Sequence, residues 1–201
     1  MIRILVAEDV RILRETLVTV LRLEPDLAVV AEVDAGDQVV AAVLQHRPDV
    51  AMLDIELPGM DGLTAAAELR DRAPDCRVLI LTGLGRPGNL RRAVAARVAG
   101  FVLKDAPSRE LIDAVRRIAA GERVFDAQLA MTALEMPDNP LSSREVEVLK
   151  RHAAGADPAD IAAEMFLSYG TVRNYLASAV TKLGARNKVD AARVAAEAGW
   201  I

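Results

Sequence analysis

The feature that most constrains this chain is an alternation of two hydrophobic periods through roughly its first 120 residues. Short β-like runs stand at 2–7 (IRILVA), 27–33 (LAVVAEV), 50–55 (VAMLDI), 77–82 (RVLILT) and 100–104 (GFVLK). Around them, apolar residues recur at spacings of three and four over about 10–22, 36–46, 62–72, 88–97 and 108–119, the pattern of one helix face. Strands alternating with helices at this spacing predict parallel βαβ units. Several of the strands are almost wholly apolar, which suits a sheet covered on both faces. Five such pairs predict a flavodoxin-like (βα)5 domain of the α/β class with a doubly wound parallel sheet.

Apolar residues make up 52% of the chain and aromatics only 3%, so the core must be built mainly of Ala, Val, Leu and Ile. No apolar run reaches the ~18 residues that a membrane helix needs, so no membrane partner is expected. The opening MIRILVAEDV has too short an apolar stretch for a signal peptide and ends in acids. The single cysteine, Cys76, has no internal partner for a disulfide, which fits a cytoplasmic protein. It precedes a strand-like run and is expected to be an inert structural thiol. His46 and His152 are expected at surface or helix-end positions without a special role.

After residue 120 the alternation fades, and MPDNP (136–140) has the composition of a turn or linker. The expected organisation is a first domain at 1–120, a linker at 121–139 and a second domain at 140–201. The second domain reads as four helices. Ser142 and Glu145 form a capping-box pattern. Asp157 and Pro158 mark the N-cap and first position of the next helix. Ser168 opens a third, Gly184 stops it, and KVDAARVAAEAG supplies a fourth.

Function in an open α/β sheet collects beyond the carboxyl ends of its strands. Glu8 and Asp9 end the first strand, Asp54 the third, Thr82 the fourth and Lys104 the fifth. Three converging carboxylates repel one another unless a cation is present, and hard oxygen ligands suit Mg²⁺. A carboxylate beside Mg²⁺, a hydroxyl and an ammonium is equipped to receive a phosphoryl group. A phosphohydrolase with an aspartate nucleophile is the competing enzyme reading. It would need a second Asp two residues after Asp54, where the chain has Glu56.

In the tail, a net charge of −4 argues against a general polyanion binder. The segment from Met165 to Val189 nevertheless holds Arg173, Lys182, Arg186 and Lys188 and no acid. Its second and third helices are joined by a short segment, as in a helix-turn-helix. With Ile161, Val172, Leu176 and Leu183 inward, Arg173 and Asn174 point outward, with Ala177 one turn on. Arg and Asn suit bidentate readout of guanine and adenine.

The stretches AED (7–9), LDIELPGMDG (53–62), LTG (81–83) and FVLKD (101–105) resemble the receiver domain of bacterial two-component response regulators over residues 2–119. The resemblance implies that Asp54 is the phosphoacceptor. Asp9 is expected to bind Mg²⁺ directly and Glu8 through water, with the backbone carbonyl of Glu56 adding a ligand. Thr82 and Lys104 would hold the phosphoryl oxygens, Gly83 would leave room for the donor, and Thr82 with Phe101 would form a packing switch. Phe101 lacks the hydroxyl of the more usual Tyr. Pro107 comes two residues later than the proline that follows the lysine in many receivers, so no cis bond is expected there.

The stretch from LSSREVEVLK through KVDA resembles the LuxR-type tetrahelical DNA-binding domain, and the two parts together resemble the NarL/FixJ class. By that resemblance Thr171, Arg173, Asn174 and Ala177 face DNA, Lys182 and Lys188 bind its backbone, and the last helix pairs two domains through Ala191, Ala192, Ala195 and Ala198. The implied protein is a regulator rather than an enzyme. Its expected partners are a sensor histidine kinase, promoter DNA, RNA polymerase and, at least when phosphorylated, a second copy of itself. The alternative is a phosphorylation-independent DNA-binding regulator or scaffold. GRPGNLRRAV and the EAGWI end are similar to the subgroup controlling membrane-lipid desaturation in bacilli.

Overall fold

The computed structural model describes residues 1–83, 87–125 and 139–201, and the linker positions 126–138 lie outside the described residues. These residues form two compact units, an N-terminal one built on a sheet and a C-terminal one built of helices.

The first unit is a parallel sheet flanked by helices. Its elements are β1 (Ile2–Ala7), α1 (Arg11–Arg22), β2 (Leu27–Val33), α2 (Gly36–His46), β3 (Val50–Asp54), α3 (Gly62–Arg72), β4 (Arg77–Thr82), α4 (Pro87–Ala95), β5 (Gly100–Leu103), α5 (Ser108–Ala119) and β6 (Val124–Phe125). The strand order is β2-β1-β3-β4-β5-β6, every pair parallel. The flavodoxin-like reading therefore holds. A sixth strand, only two residues long, is added at the edge; a run that short carries no period of its own, so no sequence pattern announced it.

β3 is buried at all five positions, because helices cover both faces. Alternate residues of the central strands (Ile4, Val6, Val50, Met52, Leu79, Leu81) join Val18 and Leu21 of α1 and Leu111, Val115 and Ile118 of α5 in one cluster. The intervening residues, Leu5, Ala51, Leu53 and Ile80, are equally buried on the other face. The order reverses between β1 and β3, and both strands deliver their carboxyl ends to that switch point.

α3 begins at Asp61, whose carboxylate accepts from Leu63 N and Thr64 N, both at 3.1 Å. A cap of this kind is worth about 1 kcal/mol. Gly62 is required for a steric reason: an added Cβ would lie 1.9 Å from the carbonyl oxygen of Asp54. The chain thus folds back directly over the end of β3.

The second unit comprises α6 (Ser143–Ala153), α7 (Pro158–Glu164), α8 (Tyr169–Lys182) and α9 (Lys188–Glu197). Every cap read from the sequence is made. Ser142 and Glu145 complete a capping box, and Asp157 and Ser168 cap the next two helices; Asn187, not singled out in the sequence, caps the fourth. Val148, Leu149, Ile161, Val172, Leu176, Ala191 and Ala195 form the core, with Leu183 and Trp200 packed against it.

Candidate functional site

The first site stands at the switch point. Glu8, directly after β1, is 1% exposed, and Asp54, the last residue of β3, is 4% exposed. Asp9 is exposed. One carboxylate oxygen from each of the three lies within 4.8 Å of the others. Lys104, directly after β5, is held by its backbone N–H to Thr82 O at 2.8 Å. Its ammonium reaches Glu8 Oε2 at 2.7 Å and Asp54 Oδ2 at 3.0 Å. Thr82 and Phe101 are both buried.

Burial pushes the Glu8 carboxyl above its ordinary range, against the pull of Lys104. Burial acts to lower the Lys104 ammonium, but the hydrogen bonds to Glu8 and Asp54 outweigh it and hold the group above its ordinary value. Glu8 Oε2 is buried, with the Lys104 ammonium 2.7 Å away. Three carboxylates converging within 4.8 Å, two of them buried, are the donor set a hard divalent cation satisfies.

The second site is the α7–α8 pair. Arg173, Asn174 and Ala177 are exposed on α8. The Arg173 guanidinium lies over the Tyr169 ring, 5.9 Å from its centroid. Thr171 is half-buried, and its hydroxyl is engaged with Ser168 Oγ at 2.8 Å.

Residues 4–116 match the response regulator receiver domain, and residues 139–195 match the bacterial regulatory proteins of the luxR family. The chain is 42% identical over 201 residues to the "uncharacterized transcriptional regulatory protein YvfU" of Bacillus subtilis, covering 100% of both. It shares 42% with the transcriptional regulatory protein DesR of the same organism, again with full coverage of both. It shares 44% with the response regulator RamR of Streptomyces coelicolor, covering 100% of this chain and 98% of that one. This chain is a response regulator of the NarL/FixJ class. Among solved structures it resembles the response regulator ChrA of a heme-sensing two-component system, with 32% identity, a TM-score of 0.59 and coverage of 100% and 98%. An RcsB–DNA complex at 23% identity and TM-score 0.66 supports the fold. The family is one of DNA-binding transcriptional regulators, so the phosphohydrolase reading falls.

Within this response regulator, Glu8, Asp9, Asp54 and Lys104 come together as the strand ends required. Glu56 is exposed and lies outside the three-carboxylate group. The peptide bond after Lys104 is trans. Cys76 is partly buried, and burial pushes its thiol up to about 12, as suits an inert side chain.

One expectation for the helical unit needs correction and another gains a competitor. Lys182, its side chain 40% exposed, already has an acid at hand: its ammonium is 2.7 Å from Glu145 Oε2, whose side chain is 5% exposed. Arg186 is likewise bridged to Asp190 at 3.1 Å. The acid-free stretch is thus partly neutralised by acids outside it, which a linear count does not register. The alanine face of α9 is not available to a second copy. Ala191 and Ala195 are fully buried and Ala192 nearly so, all within this unit's own core. The sequence reading missed the role of Glu145 beyond its cap. Its only signal was that a glutamate at that position turns inward with the helix, and its partners lie more than 30 residues on.

Proposed function

We propose that this response regulator carries a phosphoryl group on Asp54 and that the modification governs its binding to promoter DNA. The convergence of Glu8, Asp9 and Asp54 within 4.8 Å, with Lys104 bridging two of them, is the observation that carries the reading. In the transfer, an Asp54 oxygen attacks the phosphorus of a phosphohistidine on a sensor kinase. The new bond is O–P, and the P–N bond breaks. Lys104 releases its hold on the Asp54 carboxylate and takes a phosphoryl oxygen. Thr82 donates its hydroxyl to another, and Phe101 follows the space that Thr82 leaves. Asp9, Asp54, Glu8 and the backbone carbonyl of Glu56 would hold Mg²⁺, which supplies neutralisation of phosphoryl charge when bound.

The domain limits that accompany this proposal are 1–120 for the receiver, 121–139 for the linker and 140–201 for the DNA-binding domain. Arg173, Asn174 and Ala177 read bases, with Thr171 at the start of the same helix, and Lys188 contacts phosphate. The protein works in the cytoplasm, dimerises when phosphorylated and acts on RNA polymerase. Phosphorylation shifts a population between two states.

The test is mass in solution, by light scattering, with and without beryllofluoride and Mg²⁺, for wild type and Asp54→Ala. A shift from monomer to dimer in wild type alone is expected. No shift in a monomeric wild type overturns phosphorylation-driven dimerisation and favours a regulator whose DNA binding is set another way.

A further inference from the structure

The corner between α7 and α8 holds two features that weaken the fold without a visible return, and an exposed tyrosine beside them. Phe166 has φ +55°, a left-handed conformation that strains a bulky side chain and suits Gly or Asn. Its residue surface is 96% exposed, so burial offsets nothing. Gly170 is the second residue of α8, where glycine costs about 0.5–1 kcal/mol relative to alanine. An added Cβ there would meet only Ser168 Oγ, at an easy 3.8 Å, so nothing within the protein requires its absence. Tyr169 is 54% exposed as a residue, and its ring carries the Arg173 guanidinium.

Local choices that oppose the fold tend to mark function. These three are continuous with the exposed Arg173 and Asn174 on the same helix, and among the described residues no acid is bridged to Arg173, whereas Lys182 and Arg186 are paired. That charge pattern selects a polyanion over an acidic or neutral protein surface as the partner.

We propose that Phe166, Tyr169 and Gly170 extend the DNA-contacting surface beyond the base-reading residues of α8. Phe166 packs as an apolar wedge on deoxyribose or thymine methyl groups. Tyr169 is a positioning residue that holds Arg173 in its reading orientation through the ring face. Gly170 leaves the first turn of α8 bare, so that a phosphate can approach its backbone N–H groups. The inference rests on the reading of α8 as the DNA-binding helix.

A duplex selected by the full-length wild-type protein from a randomised library serves as the probe, with binding followed by fluorescence anisotropy at several salt concentrations. Phe166→Asn and Phe166→Gly both suit the left-handed backbone. They are expected to bind about fivefold or more weakly, with an unchanged salt slope, since no phosphate contact is lost. Their unfolding midpoint should equal or exceed that of wild type. Tyr169→Phe should bind as wild type. Tyr169→Ala should lose affinity in the wild-type background and lose nothing further when Arg173 is already Ala. Binding within about twofold of wild type by both Phe166 variants, a reduced salt slope, a lowered midpoint, or equal losses from Tyr169→Ala in both backgrounds would each overturn the inference. If Arg173→Ala weakens binding while the Phe166 variants do not, this inference alone fails. If Arg173→Ala also binds like wild type, the reading of α8 itself fails.

Discussion

Glu145, in the first turn of α6, and Lys182, the last residue of α8, meet at 2.7 Å although 37 residues separate them. The same carboxylate accepts from Ser142 N and from Ser178 Oγ, each at 2.6 Å. One buried acid therefore caps one helix and fastens a second at two points. Burial would push this carboxyl up, but the hydrogen bonds from Lys182, Ser178 and Ser142 outweigh it and hold it at about 2.

That value sets a pH dependence. The carboxyl is depressed from an ordinary 4.5 to about 2, so the unfolded chain takes up protons first as pH falls. The stabilisation from Glu145 is fully present above pH 4.5 and is lost as pH falls from there through about 2. Glu145→Ala should destabilise the helical unit by about 1–2 kcal/mol at neutral pH, since it removes a helix cap and the acceptor of a part-buried serine, and should flatten this acid limb. Trp200 is the only tryptophan and packs on the helical core, so its fluorescence in urea titrations reports on this unit alone. An unaltered acid limb in Glu145→Ala would sink the assignment.

Lys182 and Lys188 should separate in DNA binding. Lys182 is paired with Glu145, whereas Lys188 opens α9 with no acid recorded against it among the described residues. Lys188→Ala should reduce the slope of log affinity against log salt by about 1, the signature of one lost phosphate contact. Lys182→Ala should leave that slope intact and lower the unfolding midpoint instead. Slopes measured for both variants by anisotropy decide the matter, and a reduced slope for Lys182→Ala would restore it to the DNA interface.

Ala195 is fully buried against the other helices of its unit. Enlarging it to Leu forces side chains off their rotamers, so Ala195→Leu should cost about 1–3 kcal/mol whatever the protein concentration. Were this helix face a contact between copies, the loss would appear in dimer mass and not in the midpoint of dilute protein. Urea unfolding at two concentrations distinguishes the outcomes.

Glu8 buries a carboxylate whose desolvation is offset by a single lysine that it shares with Asp54. Glu8→Gln removes a buried charge while Lys104 keeps Asp54 as a partner at 3.0 Å. The substitution should raise the thermal midpoint by a few degrees, about 1 kcal/mol in a unit of this size, and weaken Mg²⁺ binding measured by calorimetry. A lowered midpoint would show that Lys104 depends on Glu8 more than the geometry implies.

The order of elements was legible in the sequence because each rests on local rules. Period two and period three to four separate strand from helix, and Ser142, Asp157 and Ser168 announce helix starts by side chains that bond within three residues. The pocket was legible too, because parallel strands must end on one side, and that alone brings Glu8, Asp54 and Lys104 to one rim. Charge partnership was not. The pairing of Lys182 with Glu145 and of Arg186 with Asp190 depends on which helix faces pack together, and on the angle at which two long side chains meet. The same is true of the α9 alanines: a stripe of small residues shows that something approaches closely, but only the packed bundle decides that it is the chain's own α6 and α8. The sequence determined which residues lie on which face of which element, since that follows from backbone geometry over a few residues. The tertiary structure alone decided which of those faces meet, because that is set by the volume and charge of side chains far apart in the chain.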